Sequence, residues 1–493
     1  MELTELLAAL PQAEPNQPVT GAIRGLSYNT KTLQNDELFV CLRGKKQDGH
    51  EYGAEAVAKG AKALLVEEFL PLPGVLQVRV ADTRAALARL ARHLYGDPAA
   101  RLGLVGVTGT NGKTTTSFYI RSVLQQLGTP VGLVGTVFNQ LAGPPVQSSL
   151  TTPESLDLIR LFDQALREGC DWLVMEVSSH ALSMGRVAPP DFDLAVVTNI
   201  TRDHFEFHGT YEHYWEAKAR LVRKLGTEPK GDRPKAAILN ADDPQVMAMA
   251  QRDGAPVITY GLEQPADLYA TDLVGSLSGS RFTLHLPGAS PAPVSLPMPG
   301  RFNVYNALAA AAVGWQVGVP IGAIIRGLEE CRSVPGRVEW IDEGQPFHVL
   351  VDFAHNPDAL AKLVSLRPDR PGARSILVFG AEGGKDRGKR PQMGEAARGA
   401  DYAIITSDNM PEEEPLAVAR QIAAGLGDRP HEIIPDRREA IARGVALAEP
   451  GDLLIIAGKG HEQTWVYGGT RIPFDDRAVV RELIRVRLAA TRS

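Results

Sequence analysis

The sequence predicts an α/β protein of three domains. Its 493 residues are more than one hydrophobic core can serve. Continuous apolar runs, "LGLVGV", "WLVMEV" and "LAVVTNI", alternate with helical stretches, the pattern of parallel strands covered on both faces. A second series, "HVLVDFA", "SILVFG", "YAIITS" and "LLIIAG", opens near Pro335, each run followed by a polar loop, and reads as another open α/β sheet. The expected domains are a smaller N-terminal α/β domain at 1–100, a central, mostly parallel P-loop-type domain at 101–332, and a C-terminal Rossmann-like domain at 333–493.

Within the first hundred residues, "DELFVCL" and "AKALLVEE" read as short strands between polar loops. "TRAALARLARHLYGD" reads as a helix, with Asp97-Pro98 as its stop signal. From about Leu262 to Gly300 the texture turns Pro/Gly-rich in "FTLHLPGASPAPVSLPMPG", which predicts an antiparallel excursion. The alanine-rich helix "NVYNALAAAAVGWQVG" follows, and the chain shows no internal repeat.

Apolar residues make up 44% and charged residues 22%, an ordinary soluble composition. A net charge of −6 provides no basic field for nucleic acid, yet leaves room for a local anion site. Cys41, Cys170 and Cys331 lie far apart, without metal-ligand spacing, so a reduced compartment is expected. "MELTELLAALPQ" carries acids where a signal peptide needs bases, and no apolar run is long enough for a bilayer. The expectation is a cytoplasmic protein with no membrane insertion and no nucleic-acid partner.

Open α/β sheets bind ligands beyond the carboxyl ends of their strands. "LVGV" leads into Gly109-Thr110-Asn111-Gly112-Lys113-Thr114, a phosphate-loop pattern with Val107 at the usual first-glycine position. Gly109 and Gly112 let backbone N–H groups turn onto an anion, Lys113 neutralises phosphate, and Thr114 can ligate Mg²⁺. "LVMEV" leads to Glu176, and "LAVVTNI" to the Thr201–His204 loop, on the same rim. A buried acid such as Glu176 calls for a charge partner or a metal, or caps the next helix. His204 can be a ligand, a base or a satisfied loop histidine.

In the helix "GTYEHYWEAKARLVRKL", Tyr211, Tyr214, Trp215, Leu221, Val222 and Leu225 recur at helical spacing. Lys218 falls on that apolar stripe. It either snorkels or loses its charge to desolvation, and a neutral amine can capture CO₂ as a carbamate and become an anionic metal ligand.

Further stretches fall in a fixed order across nearly the whole chain: "GTNGKTTT", "TTPES", "EVSSHAL", "TNITRDHFEFHGTYEHYWEAK", "FNVYNALAA", "PGRVE", "VDFAHNPDAL", "KDRGKRP" and "GKGHEQ". Together they resemble the ATP-dependent Mur ligases, in particular the MurE type. The N-terminal "DELFVCLRGKKQDGHEYGAEAVAKGAKALLV" is similar to that family's UDP-binding domain. The resemblance implies an amide ligase of cytoplasmic peptidoglycan-precursor synthesis. ATP would convert the D-glutamyl carboxylate of UDP-MurNAc-L-Ala-D-Glu to an acyl phosphate, and a free diamino acid would displace the phosphate. A monomer is expected.

The same resemblance implies site roles. Lys113, Glu176, His204 and Lys218 would be the catalytic set. Two Mg²⁺ ions are implied, one held by Thr114 and Glu176, the other supported by His204 and carbamylated Lys218. ATP contacts fall on Gly109 to Thr115, on Asn303 and Asn306 for adenine, and on Arg337, Asp352 and His355. Thr151, Thr152, Ser178 and Arg186 match substrate-holding positions, with Met184 where the family usually has glutamine. The uridine loop, usually Asp-Ser-Arg, is Asn29-Thr30-Lys31 here, which leaves Thr30 as the hydroxyl.

The amino-acid loop departs from the family pattern. Diaminopimelate-adding members read Asp-Asn-Pro-Arg, whereas this chain has Asp408-Asn409-Met410-Pro411 and then Glu412, Glu413 and Glu414. Lys385 aligns with a second, usually arginine, contact, and Gly458 and Glu462 are retained. A lysine does not replace a bidentate guanidinium equally. Either the third amino acid lacks a distal carboxylate, as lysine and ornithine do, or meso-diaminopimelate is used with Lys385 or Arg387 compensating. An unpaired buried carboxylate costs several kcal/mol, which favours the first. Glu412 to Glu414 can equally be a solvated acidic turn. Outside these readings stand a paralogue acting on a different carboxylate and a non-catalytic nucleotide-binding module.

Overall fold

The computed structural model describes residues 1–44, 47–187, 192–225, 230–250 and 254–492. Three main sheets succeed one another along the chain. The first has five strands, in the spatial order Glu14–Pro15, Gln77–Arg79, Ala63–Val66, Glu37–Val40 and Gly25–Ser27. All its pairings are parallel except the outermost, Glu14–Pro15 against Gln77–Arg79. The helix Thr83–Tyr95 buries Leu87, Leu90 and Ala91, the stripe that its Ala/Leu spacing dictates. It stops two residues short of Asp97-Pro98, because Gly96 takes φ 66° and caps it in the left-handed conformation.

The second sheet has eleven strands among the described residues. Gly103–Thr108 lies at its heart, between Leu194–Val197 and Trp172–Glu176, parallel to both. All three strands are wholly buried, which explains their unbroken apolar sequences. Val107 belongs to this strand rather than to the phosphate loop: it is fully buried and lies beside Glu176 in register. The expected excursion is present as the antiparallel strands Leu268–Ser276, Gly279–His285 and Ala292–Leu296, added to one edge. The helix Arg301–Val317 packs on the helix Lys113–Gln125, its alanines permitting close approach.

The third sheet runs Glu339–Trp340, His348–Asp352, Leu453–Ala457, Ser375–Phe379, Tyr402–Ile405 and His431–Ile433, parallel except for the first strand. The four apolar runs read from the sequence are its four central strands. No helix among the described residues is long and apolar enough to cross a membrane.

Candidate functional site

The phosphate loop leaves the central strand at Gly109 and ends in the helix Lys113–Gln125. Gly109 has φ 140°, and a Cβ there would lie 1.9 Å from the Thr198 hydroxyl. Gly112 has φ 86°, and a Cβ would lie 2.5 Å from Asn306 Oδ1. Both glycines are therefore demanded by backbone geometry and by the crowding around the loop. The neighbouring strand end holds the loop in place: Asn111 N donates to Asn199 Oδ1 at 3.0 Å, and Thr198 Oγ1 donates to the Asn111 carbonyl at 2.6 Å.

Glu176, 2% exposed, ends the adjacent strand. Its Oε2 accepts from Thr114 Oγ1 at 2.9 Å and from Thr136 Oγ1 at 3.0 Å, and its Oε1 accepts from Thr136 N at 2.8 Å. A carboxylate and a hydroxyl side by side form the hard-oxygen pair that suits Mg²⁺, an ion that keeps waters and phosphate oxygens as its other ligands. No group of three or more His, Cys, Asp or Glu side chains able to hold a metal occurs among the described residues, so a purely protein-built cage is not what this site offers.

Lys218 is 1% exposed, which rules out snorkelling. Its Nζ donates to the Gly109 carbonyl at 2.6 Å and lies 4.7 Å from the Tyr214 ring centre. Burial, and then the charge of Lys113, push its amine well below the ordinary lysine range, against the pull of Asp203. Lys113 Nζ donates to the carbonyls of Gly109 and Thr110 at 3.0 and 2.9 Å.

His204 sits at φ 57° beside Asp203 and Glu206, at 3.8 and 3.5 Å. Burial alone would raise the Asp203 carboxyl, but His204, His355 and Lys389 together hold it well below the usual range. His355 comes from the third sheet's side of the cleft and lies 3.8 Å from Asp203. Burial pushes its imidazole down to about 4 despite that carboxylate. From the same side, Asn356 Nδ2 donates to Asp203 at 3.2 Å, and Asp358 accepts from Asn111 Nδ2 at 2.7 Å. Arg337 Nη2 donates to Thr114 Oγ1 at 3.2 Å, while its buried Nε has no hydrogen-bond partner among the described residues. A cleft-lining guanidinium that reaches the loop and keeps an unpaired N–H fits a nucleotide phosphate. Asp352 fixes the turn after Arg337 by accepting from Val338 N at 2.7 Å. Asn303 and Asn306, linked at 3.1 Å, border the loop, with Asn306 also accepting from Thr116.

One cleft of about 980 Å³ collects these groups. Its lining includes Thr110 to Thr115, Thr151, Thr152, Ser178 and Arg186, and, from loops of the third sheet, Asp408, Asn409, Gly458 and Glu462. Gly109 and Lys218 lie behind its wall, and Thr30 and Lys385 are outside its lining. Arg186 pairs with the buried Glu154 at 2.9 Å and donates to Met184 Sδ at 3.6 Å, so the sulfur takes the place of an amide contact. In the third-sheet loops Asn409 Nδ2 donates to Glu462 Oε2 at 3.1 Å, and the buried Lys459 donates to the same oxygen at 2.8 Å. Arg387 and Arg390 both pair with Glu413, so Glu413 belongs to an ion-pair network rather than to a solvated acidic turn.

Sequence reading missed Thr136, Asp203, Asn356, Asp358 and Glu382. Thr136 and Glu382 lie two and three residues beyond the ends of apolar strands, and that position was the available signal.

Comparison with known proteins adds the family. Residues 22–95 match the description "Mur ligase family, catalytic domain", residues 107–314 "Mur ligase middle domain", and residues 336–460 "Mur ligase, glutamate ligase domain". A UDP-N-acetylmuramoyl-L-alanyl-D-glutamate–2,6-diaminopimelate ligase of Geobacillus kaustophilus is 42% identical over 99% of this chain and 100% of its own length. A protein of the same name from Solibacter usitatus is 41% identical over 98% of each. A solved structure bearing that name superposes with a TM-score of 0.67 at 31% identity, covering 98% of this chain and 99% of the other. MurF of Acinetobacter baumannii, 20% identical over 98% of each chain, shares the fold with a TM-score of 0.70. On these likenesses and the site just described, the chain belongs to the Mur ligase family of ATP-dependent ligases.

Proposed function

We propose that this chain joins meso-diaminopimelate to the D-glutamyl carboxylate of UDP-MurNAc-L-Ala-D-Glu, with ATP cleaved to ADP and phosphate, in cytoplasmic peptidoglycan-precursor synthesis. The substrates are those in the names of its relatives at about 40% identity over full length. The observation that carries the chemistry is that one cleft is lined by Lys113, the Thr114–Glu176 pair, Asp408 and Glu462, with desolvated Lys218 bonded to the Gly109 carbonyl of the same phosphate loop.

A carboxylate oxygen attacks the γ-phosphorus of ATP, and ADP leaves. The amine then attacks the acyl carbon of the resulting acyl phosphate, and phosphate departs as the amide forms and the amine loses its proton. The first step brings two anions together, so its barrier falls with positive charge and fixed geometry. Lys113 and Arg337 supply charge beside the loop, and Gly109 and Gly112 aim backbone N–H groups at the phosphates. Thr114 and Glu176 would hold one magnesium. Lys218, having bound CO₂ with loss of a proton, would support a second together with His204. Bound magnesium supplies the neutralisation that lets the anions meet. Asn303 and Asn306 would hold adenine, Asp352 and His355 the ribose and phosphates, and Thr151, Thr152, Ser178 and Arg186 the muramoyl-peptide substrate. Thr30 would meet uridine. Gly458, Asp408, Asn409 and Glu462 would hold the incoming amino acid, with Lys385 nearest the distal carboxylate. The enzyme would act as a monomer.

A second reading, a diamino acid without a distal carboxylate, is favoured by Pro411 at the selecting position and by Arg387 being held by Glu413. Phosphate release assayed with UDP-MurNAc-L-Ala-D-Glu and each of meso-diaminopimelate, lysine and ornithine decides between them. Release with meso-diaminopimelate alone supports the first reading, and release only with lysine or ornithine supports the second. No stimulated release with any of the three refutes both.

A further inference from the structure

Arg437 opens the helix Arg437–Leu447, lies outside the cleft lining, and is fully buried. Its Nε and Nη2 donate to Asp476 at 2.8 and 2.7 Å, and Asp476, also fully buried, begins the helix Asp476–Arg492. Two further donors go to backbone. Nη1 donates to the Ser407 carbonyl at 3.2 Å and Nη2 to the Ala457 carbonyl at 3.0 Å.

Those two carbonyls stand just before two third-sheet loops that line the cleft. Ser407 precedes Asp408-Asn409, and Ala457 precedes the turn from Gly458 to Glu462. The strands that feed these loops, Tyr402–Ile405 and Leu453–Ala457, are not neighbours. Ser375–Phe379 runs between them and pairs with both. Two strand spacings, roughly 10 Å, therefore separate the strand ends, with no ladder bond joining them directly. Beyond them the loops meet through the Asn409–Glu462 and Lys459–Asn409 side-chain hydrogen bonds, at 3.1 and 3.2 Å. Arg437 spans that gap with a planar fork, and Asp476 fixes the plane of the fork. The match across the gap is close: a Cβ on Gly458 would lie 2.8 Å from Asp408 Oδ2. The guanidinium also sits within the fields of Asp408 and Glu462, so it balances the carboxylates of these loops.

A buried ion pair alone is weak grounds for stability, because an apolar pair of similar volume often serves as well. The two backbone hydrogen bonds are what an apolar pair could not supply. We propose that Arg437 is a positioning residue for the amino-acid part of the cleft: it sets the spacing of the Asp408–Asn409 and Gly458–Glu462 loops, and so the affinity for the incoming amino acid, without touching it. This rests on the reading above that the amino acid binds there.

The test is steady-state kinetics of full-length Arg437→Lys and of the double variant Arg437→Met/Asp476→Leu, with thermal melts confirming that each is folded. The double variant removes both members of the ion pair, so neither is left as a lone buried charge. The expected result is a rise in KM for the amino acid of roughly tenfold or more, the scale of an ångström-level misplacement, with KM for ATP and for the UDP-linked substrate within about twofold. An unchanged amino-acid KM in either folded variant, or a parallel rise in all three KM values, overturns the proposal. Wild-type enzyme that releases phosphate without any need for an amino acid refutes the functional reading itself. Failure of the variants alone, with the wild type dependent on the amino acid, refutes only the role of Arg437.

Discussion

Lys218 reaches from the helix Tyr211–Arg223 to the carbonyl oxygen of Gly109, 2.6 Å away, and Lys113 donates to that same oxygen at 3.0 Å. Two ammonium groups sharing one carbonyl repel each other, and Lys218, buried where Lys113 faces the cleft, yields its proton more readily. The phosphate loop and the carbamate candidate are thus one unit, joined through the first residue of the loop.

Lys218→Ala is expected to lower kcat by roughly a hundred- to a thousand-fold, the range for losing one well-placed electrostatic group. Lys218→Arg should do the same, because a guanidinium cannot capture CO₂. Isotope-labelled bicarbonate followed by carbon NMR should reveal a carbamate signal in the wild type and none in Lys218→Arg. Near-normal turnover in Lys218→Ala would sink the assignment.

Thr136→Val should raise the magnesium concentration needed for half-maximal activity by roughly ten- to a hundred-fold, as loss of a partner that orients a metal-holding carboxylate does. Thr136 supplies two of the hydrogen bonds that orient Glu176. The check is a magnesium titration at saturating ATP. Valine keeps the backbone N–H bond and loses only the hydroxyl, so an unchanged titration would mean that Glu176 is oriented without the Thr136 hydroxyl.

These two residues show where the sequence was legible and where it was not. Lys218 betrayed itself locally, because a lysine on an apolar helical stripe breaks a periodic rule. The phosphate loop, the strand ends and the antiparallel excursion likewise follow from spacing along the chain. Thr136 breaks no local rule, and its importance comes from a partner 40 residues away. Asp358 matters because it meets Asn111 across 247 residues. The first contact is set by pairing of strands within the second sheet and the other by how the third sheet docks on the second, which no window of sequence records. Val107 was the opposite case. It looked like a defect in a motif and is an ordinary core residue of the strand before it.

Arg202 and Asp386 join the central and third sheets' regions at 3.1 Å, with the arginine side chain 41% exposed. A pair this open is worth at most about 1 kcal/mol. Arg202→Met should therefore change kcat/KM for ATP by less than about fivefold, and the effect should shrink as salt is raised. Kinetics at low and high salt check this. A loss above a hundredfold would mean that Arg202 contacts a substrate directly.

Glu382 lines the cleft beside Asp408 and Glu462. Burial pushes its carboxyl up to about 7; Lys385 and Lys389 pull it down, while Asp408 and Glu462 act with burial. In the unfolded chain a glutamate titrates near 4.3. Between that value and about 7 the folded protein holds a proton that the unfolded chain has released, so this group's contribution to stability falls as pH rises through the window. Glu382→Gln removes the dependence. In ligand-free protein the variant should melt above the wild type at pH 8, and the gap should narrow toward pH 5. The buried histidines titrate alike in both proteins and cancel in the difference. A gap that stays constant from pH 5 to pH 8 would show that Glu382 is charged throughout, balanced by Lys385. The lysine would then be committed to Glu382, and a distal carboxylate on the substrate would need another cation.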